Sequence, residues 1–232
     1  MIIDAHVHLS GSVGCGETVD GVNSLLAALD EAGIDGAVVA GLSDTAENGT
    51  LLRAGTSSPH RLFPFAHLKP EDPRLVGTGW RGIGEIYLPC GSARLPRQLM
   101  RPIAEIAEEE QLPILMHSGE FSYTAPLLLE DLARSFPNVT WIVGHMGSLR
   151  FALDAIDLMT RRPNVFADTS GVTSAHILRH AIDAGCAERL LFGSDYPFWD
   201  PVVERTRIES ARLDPGVERL ILGENAGRLL NL

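Results

Sequence analysis

Short apolar segments alternate with longer amphipathic segments along the chain. The apolar segments are too short for typical helices, and several are rich in Val, Ile and Phe, which favours buried strands. Between them, apolar residues recur at helical spacing, over residues 22–33, 96–111, 125–136, 149–161, 174–185 and 217–230. The predicted strands are eight, within residues 1–9, 35–42, 62–68, 81–88, 112–118, 139–146, 164–170 and 189–195.

Alternation of strands and helices indicates parallel strands joined by right-handed crossovers, and eight such units fit a closed barrel. We therefore predict an α/β fold, a single (β/α)8 TIM barrel spanning residues 1–232 as one domain. The connections after the second and third strands look short or irregular, so shortened helices are expected there. An open doubly wound sheet is the alternative, but the glycine-rich phosphate-binding turn that it predicts is absent from the sequence.

Composition and charge limit the classes of molecule that the protein is expected to bind. The formal net charge of −11 disfavours nucleic acid and anionic membranes, because phosphate binding depends on clustered Lys and Arg. Residues 53–101 carry eight Lys/Arg against three Asp/Glu. This basic segment either steers a small anionic substrate or is a solvated surface. No secretory signal or membrane-length apolar run is found, so a cytoplasmic location is expected.

The three cysteines are far apart, which disfavours a disulfide framework or a zinc–thiolate site. Polar residues inside the apolar runs are more informative, because burying them without partners costs free energy. In a parallel barrel, the carboxyl ends of all strands lie on one face, where barrel active sites are built. The residues in question are His6, His8, His67, Glu85, His117, His145 and Asp195.

The spacing of His6 and His8 suits a metal site. Side chains at i and i+2 of a strand point the same way, roughly 6.6 Å apart at the Cα atoms, so both rings can reach one ion. Asp4 is expected to hold one of these rings as an acceptor. The alternatives are a solvated pair for the two histidines, an internal ion pair for Glu85 and a helix cap for Asp195.

His117 and His145 are each ambiguous alone, but their matched placement favours ligand roles. His67 is either a substrate contact or a loop histidine. The remaining histidines lie in helical or loop segments and are expected on the surface, namely His60, His176 and His180.

Five segments resemble the amidohydrolase superfamily, and specifically the amidohydrolase-related (amidohydrolase 2) branch that also contains decarboxylases. They are IIDAHVHL (2–9), LPILMHSGE (112–120), WIVGHMGS (141–148), LLFGSDYP (190–197) and LGENAGRLL (222–230). The resemblance implies a barrel that holds one or two divalent cations, with zinc the expected metal. Many superfamily members carry a carbamylated lysine on the fourth strand, but no lysine stands there in this sequence.

Instead, GIGEI (82–86) resembles the fourth-strand glutamate segment of TatD-type nucleases, in which the carboxylate bridges two metals. By that resemblance, Glu85 bridges two ions, one held by His6, His8 and Asp195 and the other by His117 and His145. If Glu85 is not a ligand, one zinc takes His6, His8, His117 and Asp195, and His145 is left as an acid or base.

The expected reaction is hydrolysis of a small ester, lactone or amide by metal-activated water. Asp195 would act as general base and then acid, and His145 would hold the second ion or stabilise an oxyanion. The first alternative is non-oxidative decarboxylation of an aromatic or unsaturated acid, with Lys69, Arg74 or Arg94 binding the carboxylate. A TatD-type nuclease and a non-catalytic metal-binding module are further alternatives. The sequence leaves the oligomeric state open.

Overall fold

The computed structural model describes residues 1–13, 17–42, 45–88 and 96–232. Eight parallel strands form one sheet, in which each strand pairs with the next one of the eight along the chain. These strands are β1 (Ile3–Val7), β4 (Gly36–Ala40), β5 (Leu62–Ala66), β6 (Gly82–Ile86), β7 (Ile114–Met116), β8 (Trp141–Val143), β9 (Val165–Asp168) and β10 (Leu190–Leu191). Each falls within one of the predicted apolar runs, and the predicted fold is confirmed.

Hydrogen bonds between the first and last strand segments close the sheet into a barrel. The amide of Ala5 donates to the Phe192 carbonyl at 2.7 Å, and the amide of Asp195 donates to the His6 carbonyl at 2.7 Å. A further parallel bridge joins Val7 to Tyr196. This seam sets two of the predicted site residues side by side, although they are far apart in the sequence.

Helices cover the outside of the barrel. They are α1 (Val22–Glu31), α2 (Asn48–Ser57), α3 (Pro96–Glu110), α4 (Glu130–Ser135), α5 (Ser148–Arg161), α6 (Ala175–Asp183), α7 (Pro201–Ser210), α8 (Pro215–Arg219) and α9 (Asn225–Leu230). The connection after β5 contains no helix between residues 67 and 81. By contrast, α2 has 10 residues, as many as α1, so only the second of the two expected reductions is present.

Two other connections differ from the simple alternation. An antiparallel hairpin of β2 (Ser10–Val13) and β3 (Glu17–Asp20) lies between β1 and α1. The helix predicted over residues 125–136 begins as a 3-10 turn, Pro126–Leu129, and becomes α-helical only at Glu130.

The apolar core has two parts. The larger cluster packs the outward side chains of the strands, such as Val7 and Trp141, against helix residues such as Leu25 and Leu158. The smaller cluster fills the barrel and includes Phe65. Apolar packing on both sides of a parallel strand explains why the strand sequences are nearly continuous apolar runs.

In the described part of the chain, no helix is long and apolar enough to cross a membrane. Cys186 is a buried free thiol. Cys15, Cys90 and Arg94 lie outside the described residues.

Candidate metal centre

The barrel brings the predicted site residues together at the carboxyl ends of its strands, and all of them are buried. His6 lies in β1 and His8 follows it, Glu85 lies in β6, and the others follow β5, β7, β8 and β10. Their exposed fractions are at most 8%, for His6, His8, His67, Glu85, His117, His145 and Asp195.

Four of these side chains are neighbours: His6, His8 and Asp195 offer ligand atoms that all lie within 4.8 Å of one another, and Glu85 contacts both histidines. We call them the first donor set: His6 Nε2, His8 Nε2, Asp195 Oδ1 and Glu85 Oε2. Glu85 Oε2 is 3.5 Å from His6 Nε2 and 3.6 Å from His8 Nε2. Asp195 Oδ1 is 3.7 Å from His6 Nε2 and 3.2 Å from His8 Nε2. Two ligands of a tetrahedral zinc ion stand roughly 3.4 Å apart, so these separations fit one cation.

The other oxygen of Glu85 belongs to a second donor set, which contains His117 Nδ1, His145 Nε2 and Glu85 Oε1. Glu85 Oε1 is 2.9 Å from His117 Nδ1 and 3.4 Å from His145 Nε2, and the two ring nitrogens are 3.3 Å apart. His6, Glu85 and His145 also offer ligand atoms that all lie within 4.8 Å of one another. The second donor set therefore adjoins the first.

Hydrogen bonds on the outer ring nitrogens leave lone pairs pointing into the site. His8 Nδ1 is 2.9 Å from the Ala40 carbonyl, which can only accept, so we assign the proton to Nδ1. His6 Nδ1 is 3.0 Å from Asp168 Oδ2 in the same way. His117 reverses the arrangement, because its Nε2 contacts Glu120 and its Nδ1 faces inward.

Several side-chain atoms that face into the site lack hydrogen-bond partners. His6 Nε2, His8 Nε2 and Glu85 Oε2 are buried without a hydrogen-bond partner. Neutral imidazoles and carboxylates that converge without donors between them form a set that a divalent cation satisfies, and N and O ligands suit zinc and related ions. The residues of the two donor sets thus fit a divalent cation.

Electrostatics favours positive charge at this place. Burial alone would lower the pKa of His6, but the charges of Asp168 and Glu85 outweigh it and raise that pKa well above its usual range. Burial alone would raise the pKa of Glu85, but the charge of protonated His6 and the hydrogen bonds that His117 and His145 donate when they are protonated hold it well below its usual range. Protons and a cation therefore compete for the same lone pairs.

Strained backbone holds two of the site residues. His145 and Asp195 have positive φ angles of 57° and 59°, a region that costs non-glycine residues on the order of 1–3 kcal/mol. The glycine before His145 is also required, because a Cβ on Gly144 would lie 2.9 Å from the Met116 carbonyl oxygen. Gly144 therefore allows the chain after β8 to approach β7 closely, where His145 meets His117.

Several residues at the site were not foreseen from the sequence. Asp168, the last residue of β9, accepts from His6, the contact expected of Asp4. Asp4 instead accepts from two backbone amides, His6 N at 3.1 Å and Ser194 N at 2.9 Å. An aspartate near the end of the seventh apolar run, residues 164–170, is the signal that could have identified Asp168.

His67 sits beside the site through its contact with Glu85. Its Nδ1 is 3.0 Å from the Glu85 carbonyl oxygen, and its backbone amide donates to Asn48 Oδ1 at 2.8 Å. His67 is not among the described residues that line the cavity at the site. Its contact with a substrate therefore stays a prediction. His60, His176 and His180 are exposed, as predicted.

A cavity of about 280 Å³ opens onto the donor sets and is lined by Tyr87, His117, Glu120, His145, Ser148, Gly171, Asp195, Phe198 and Trp199. Tyr87 stacks on His117 with ring centroids 4.1 Å apart. Among the described lining residues, none is Lys or Arg. Arg74 lines a separate cavity of about 480 Å³ and pairs with Asp72.

Comparison with known proteins agrees with this architecture. The model of the amidohydrolase family matches residues 3–232. A zinc-bound amidohydrolase from Burkholderia multivorans has a TM-score of 0.78, with 16% identity over 100% of this chain and 99% of that chain. A 2,6-dihydroxybenzoate decarboxylase from Rhizobium has a TM-score of 0.77, with 19% identity over 99% and 98% of the two chains.

A probable 2-pyrone-4,6-dicarboxylic acid hydrolase from Acinetobacter baumannii, solved with citric acid bound, has a TM-score of 0.70. It is 18% identical over 100% of this chain and 99% of that chain. At such identities the likeness to solved structures establishes the fold alone. None of the curated proteins compared with the chain matches it.

Proposed function

This chain belongs to the amidohydrolase family, and on that premise we propose that it is a two-cation hydrolase that cleaves a small ester, lactone or amide. The observation that carries the proposal is the placement of Glu85, whose two carboxylate oxygens face different donor sets. A carboxylate in this position can bridge two ions. The likeness of residues 82–86 to TatD-type nucleases stays a prediction.

The residues that would hold the cations are the two donor sets, with Glu85 shared between them. We propose zinc, because imidazole and carboxylate ligands suit it. When bound, such ions polarise a carbonyl oxygen and bring the pKa of water to roughly 7. The remaining work falls to the side chains around the cavity.

Asp195 is placed to move the proton. It lines the cavity and its Oδ1 belongs to the first donor set, so its carboxylate can accept a proton from attacking water and return it to the leaving group. His145 and His117 would hold the second ion. Burial and the charges of Glu85 and Asp195 raise the pKa of Tyr87, so its phenol stays protonated at the cavity wall.

We propose hydrolysis rather than decarboxylation because of the charges on the described residues at the cavity, which do not include Arg94. A decarboxylase of the predicted type needs a cationic side chain for the substrate carboxylate. The described lining residues offer none, whereas Glu120 and Asp195 add negative charge. The cavity volume suits a small substrate.

The test measures the metal content of the protein and then assays the two candidate reactions. We expect two zinc ions per chain by elemental analysis of the reconstituted protein, and one or fewer in Glu85→Gln. Glu109→Gln, an exposed glutamate on α3, serves as the matched control and should keep two.

The same preparations are assayed on small esters, lactones and amides and, separately, for CO₂ release from hydroxybenzoates. Hydrolysis that depends on two ions supports the proposal. One ion per chain together with CO₂ release would overturn it in favour of the decarboxylase.

A further inference from the structure

Both carboxylate oxygens of Asp168 accept hydrogen bonds, and the donors include members of the two donor sets or a residue that contacts one. The side chain is fully buried at the end of β9 and does not itself belong to either set. Its Oδ2 is 3.0 Å from His6 Nδ1. Its Oδ1 accepts from the backbone amides of His145 at 3.2 Å and Ser170 at 3.0 Å.

The contact with His6 fixes a proton. An ionised carboxylate only accepts, so His6 carries its proton on Nδ1 and keeps the lone pair of Nε2 for the first donor set. The contact also fixes the orientation of the His6 ring, and Gly193, on the facing strand segment, leaves room for both residues because it has no side chain. A Cβ there would be 3.1 Å from Asp168 Oδ1 and 3.1 Å from His6 Cβ.

A second route runs from Asp168 through Ser170 to His145. The Ser170 hydroxyl donates its single proton to Asp168 Oδ1. Its oxygen is then an acceptor toward His145 Nδ1, which is 2.8 Å away. His145 therefore carries its proton on Nδ1, and the lone pair of Nε2 faces Glu85 and His117 in the second donor set.

We propose that Asp168 and Ser170 are positioning residues that fix the tautomer of one histidine in each donor set, so that one buried carboxylate prepares both cation sites. This inference rests on the proposed two-cation site. It assigns separable tasks, because the direct contact serves His6 and the hydroxyl contact serves His145.

Two conservative substitutions separate these tasks. In Asp168→Asn, the amide oxygen is expected at the Oδ1 position, where three donors meet, which places the NH₂ group against His6 Nδ1. His6 must then move its proton to Nε2, and the first site loses a lone pair. In Ser170→Ala, the acceptor of His145 Nδ1 is lost while the contact of Asp168 with His6 remains.

The experiment measures cation affinity at each site and does not depend on turnover. Metal-free proteins are titrated with Co²⁺ against a chelating indicator, and the visible absorption of bound Co²⁺ reports which site fills. His8→Ala and His117→Ala provide reference spectra for loss of the first and second site. Ser170→Thr, which keeps the hydroxyl, is the matched control, and thermal unfolding of each metal-free variant confirms folding.

We expect Asp168→Asn to weaken the first site and Ser170→Ala to weaken the second, each by about 10–100-fold, with Ser170→Thr close to wild type. Unchanged affinities, or an equal loss at both sites in both variants, would overturn the proposal. A wild type that binds only one ion contradicts the proposed two-cation hydrolase instead. Asp168→Asn then still decides whether Asp168 prepares His6 for that ion.

Discussion

At the scale of single residues, the position of a proton decides whether an imidazole can bind a cation. A neutral ring has one protonated nitrogen and one nitrogen with a free lone pair. An acceptor on the outer side of the ring holds the proton on the outer nitrogen, so the lone pair is on the inner one. The Ala40 carbonyl does this for His8 and Asp168 does it for His6, so both rings present Nε2 to the site. In His117 the nitrogens exchange roles: Glu120 contacts Nε2, and the ring presents Nδ1 to the site.

Asp195 gives a residue-scale prediction about catalysis. Asp195→Asn keeps an oxygen that can face a cation but removes the base, so kcat of the metal-loaded variant should fall by about 10²–10⁴-fold while the fold remains. Steady-state kinetics and elemental analysis on one preparation check this. Asp183→Asn, an exposed aspartate on α6, is the control. Full turnover in metal-loaded Asp195→Asn would remove Asp195 from the proposed mechanism.

The residues that could be found from the sequence share one property. His6, His8, His117, His145 and Asp195 are polar groups at the ends of apolar runs, and burial makes such groups conspicuous. Asp168 satisfies the same rule, yet its role depends on which ring it faces, and that is set by the pairing of β9 with its neighbours. Asp4 was expected to face a ring, but it binds backbone amides at the seam of the barrel.

At the scale of elements, the loops after the strands are fixed by helices that pack over them. Helix α7 sends Glu204 inward, where its side chain accepts from the Gly171 amide at 3.1 Å and pairs with Arg207. Gly171 lines the cavity, directly after Ser170. Glu204 therefore ties α7 to the loop that holds His145 in place.

Glu204 gives an element-scale prediction about pH. Burial raises its pKa above the usual 4.5, although Arg207 acts in the opposite direction. A carboxyl group with a raised folded-state pKa contributes stability that is complete below its unfolded pKa and is lost as pH rises through the folded value. The free energy of unfolding of Glu204→Gln, minus that of wild type, should therefore increase as pH rises from about 4.5.

Urea denaturation of metal-free protein across this pH range measures that difference. Glu209→Gln, an exposed glutamate on the same helix, controls for the loss of one carboxyl group. A difference between Glu204→Gln and wild type that stays constant or decreases with pH would contradict the buried, destabilised carboxyl.

Elements with an apolar period could be predicted, and those without one could not. The eight barrel strands and the long helices α3 and α5 follow the apolar pattern closely. The hairpin of β2 and β3 has the sequences SGSV and ETVD, which carry too few apolar residues to indicate strands. The absence of a helix after β5 follows from residues 67–81, where Pro and Gly recur.

At the scale of the whole molecule, the candidate metal centre lies where the barrel closes. The donor sets draw on β1, β6, β7, β8 and β10, which span nearly the full chain. His6 and Asp195 face each other across the seam, joined by a backbone hydrogen bond of 2.7 Å. A cation at the first donor set would therefore cross-link the first and last strand segments of the barrel.

Removal of metal should then lower the stability of the entire barrel. A ligand that binds only the folded state adds about 2.7 kcal/mol at 100 times its Kd, and a protein of this size gains roughly 2–4 °C in Tm per kcal/mol. We expect zinc at that concentration to raise Tm by roughly 5–10 °C over chelator-treated protein. His8→Ala should lose most of this shift, because it removes a ligand without touching the seam hydrogen bonds of Ala5 and Asp195. Equal Tm values with zinc and with chelator would mean that no ion links these strands, and the two donor sets would then be a buried cluster of protonated histidines and carboxylates.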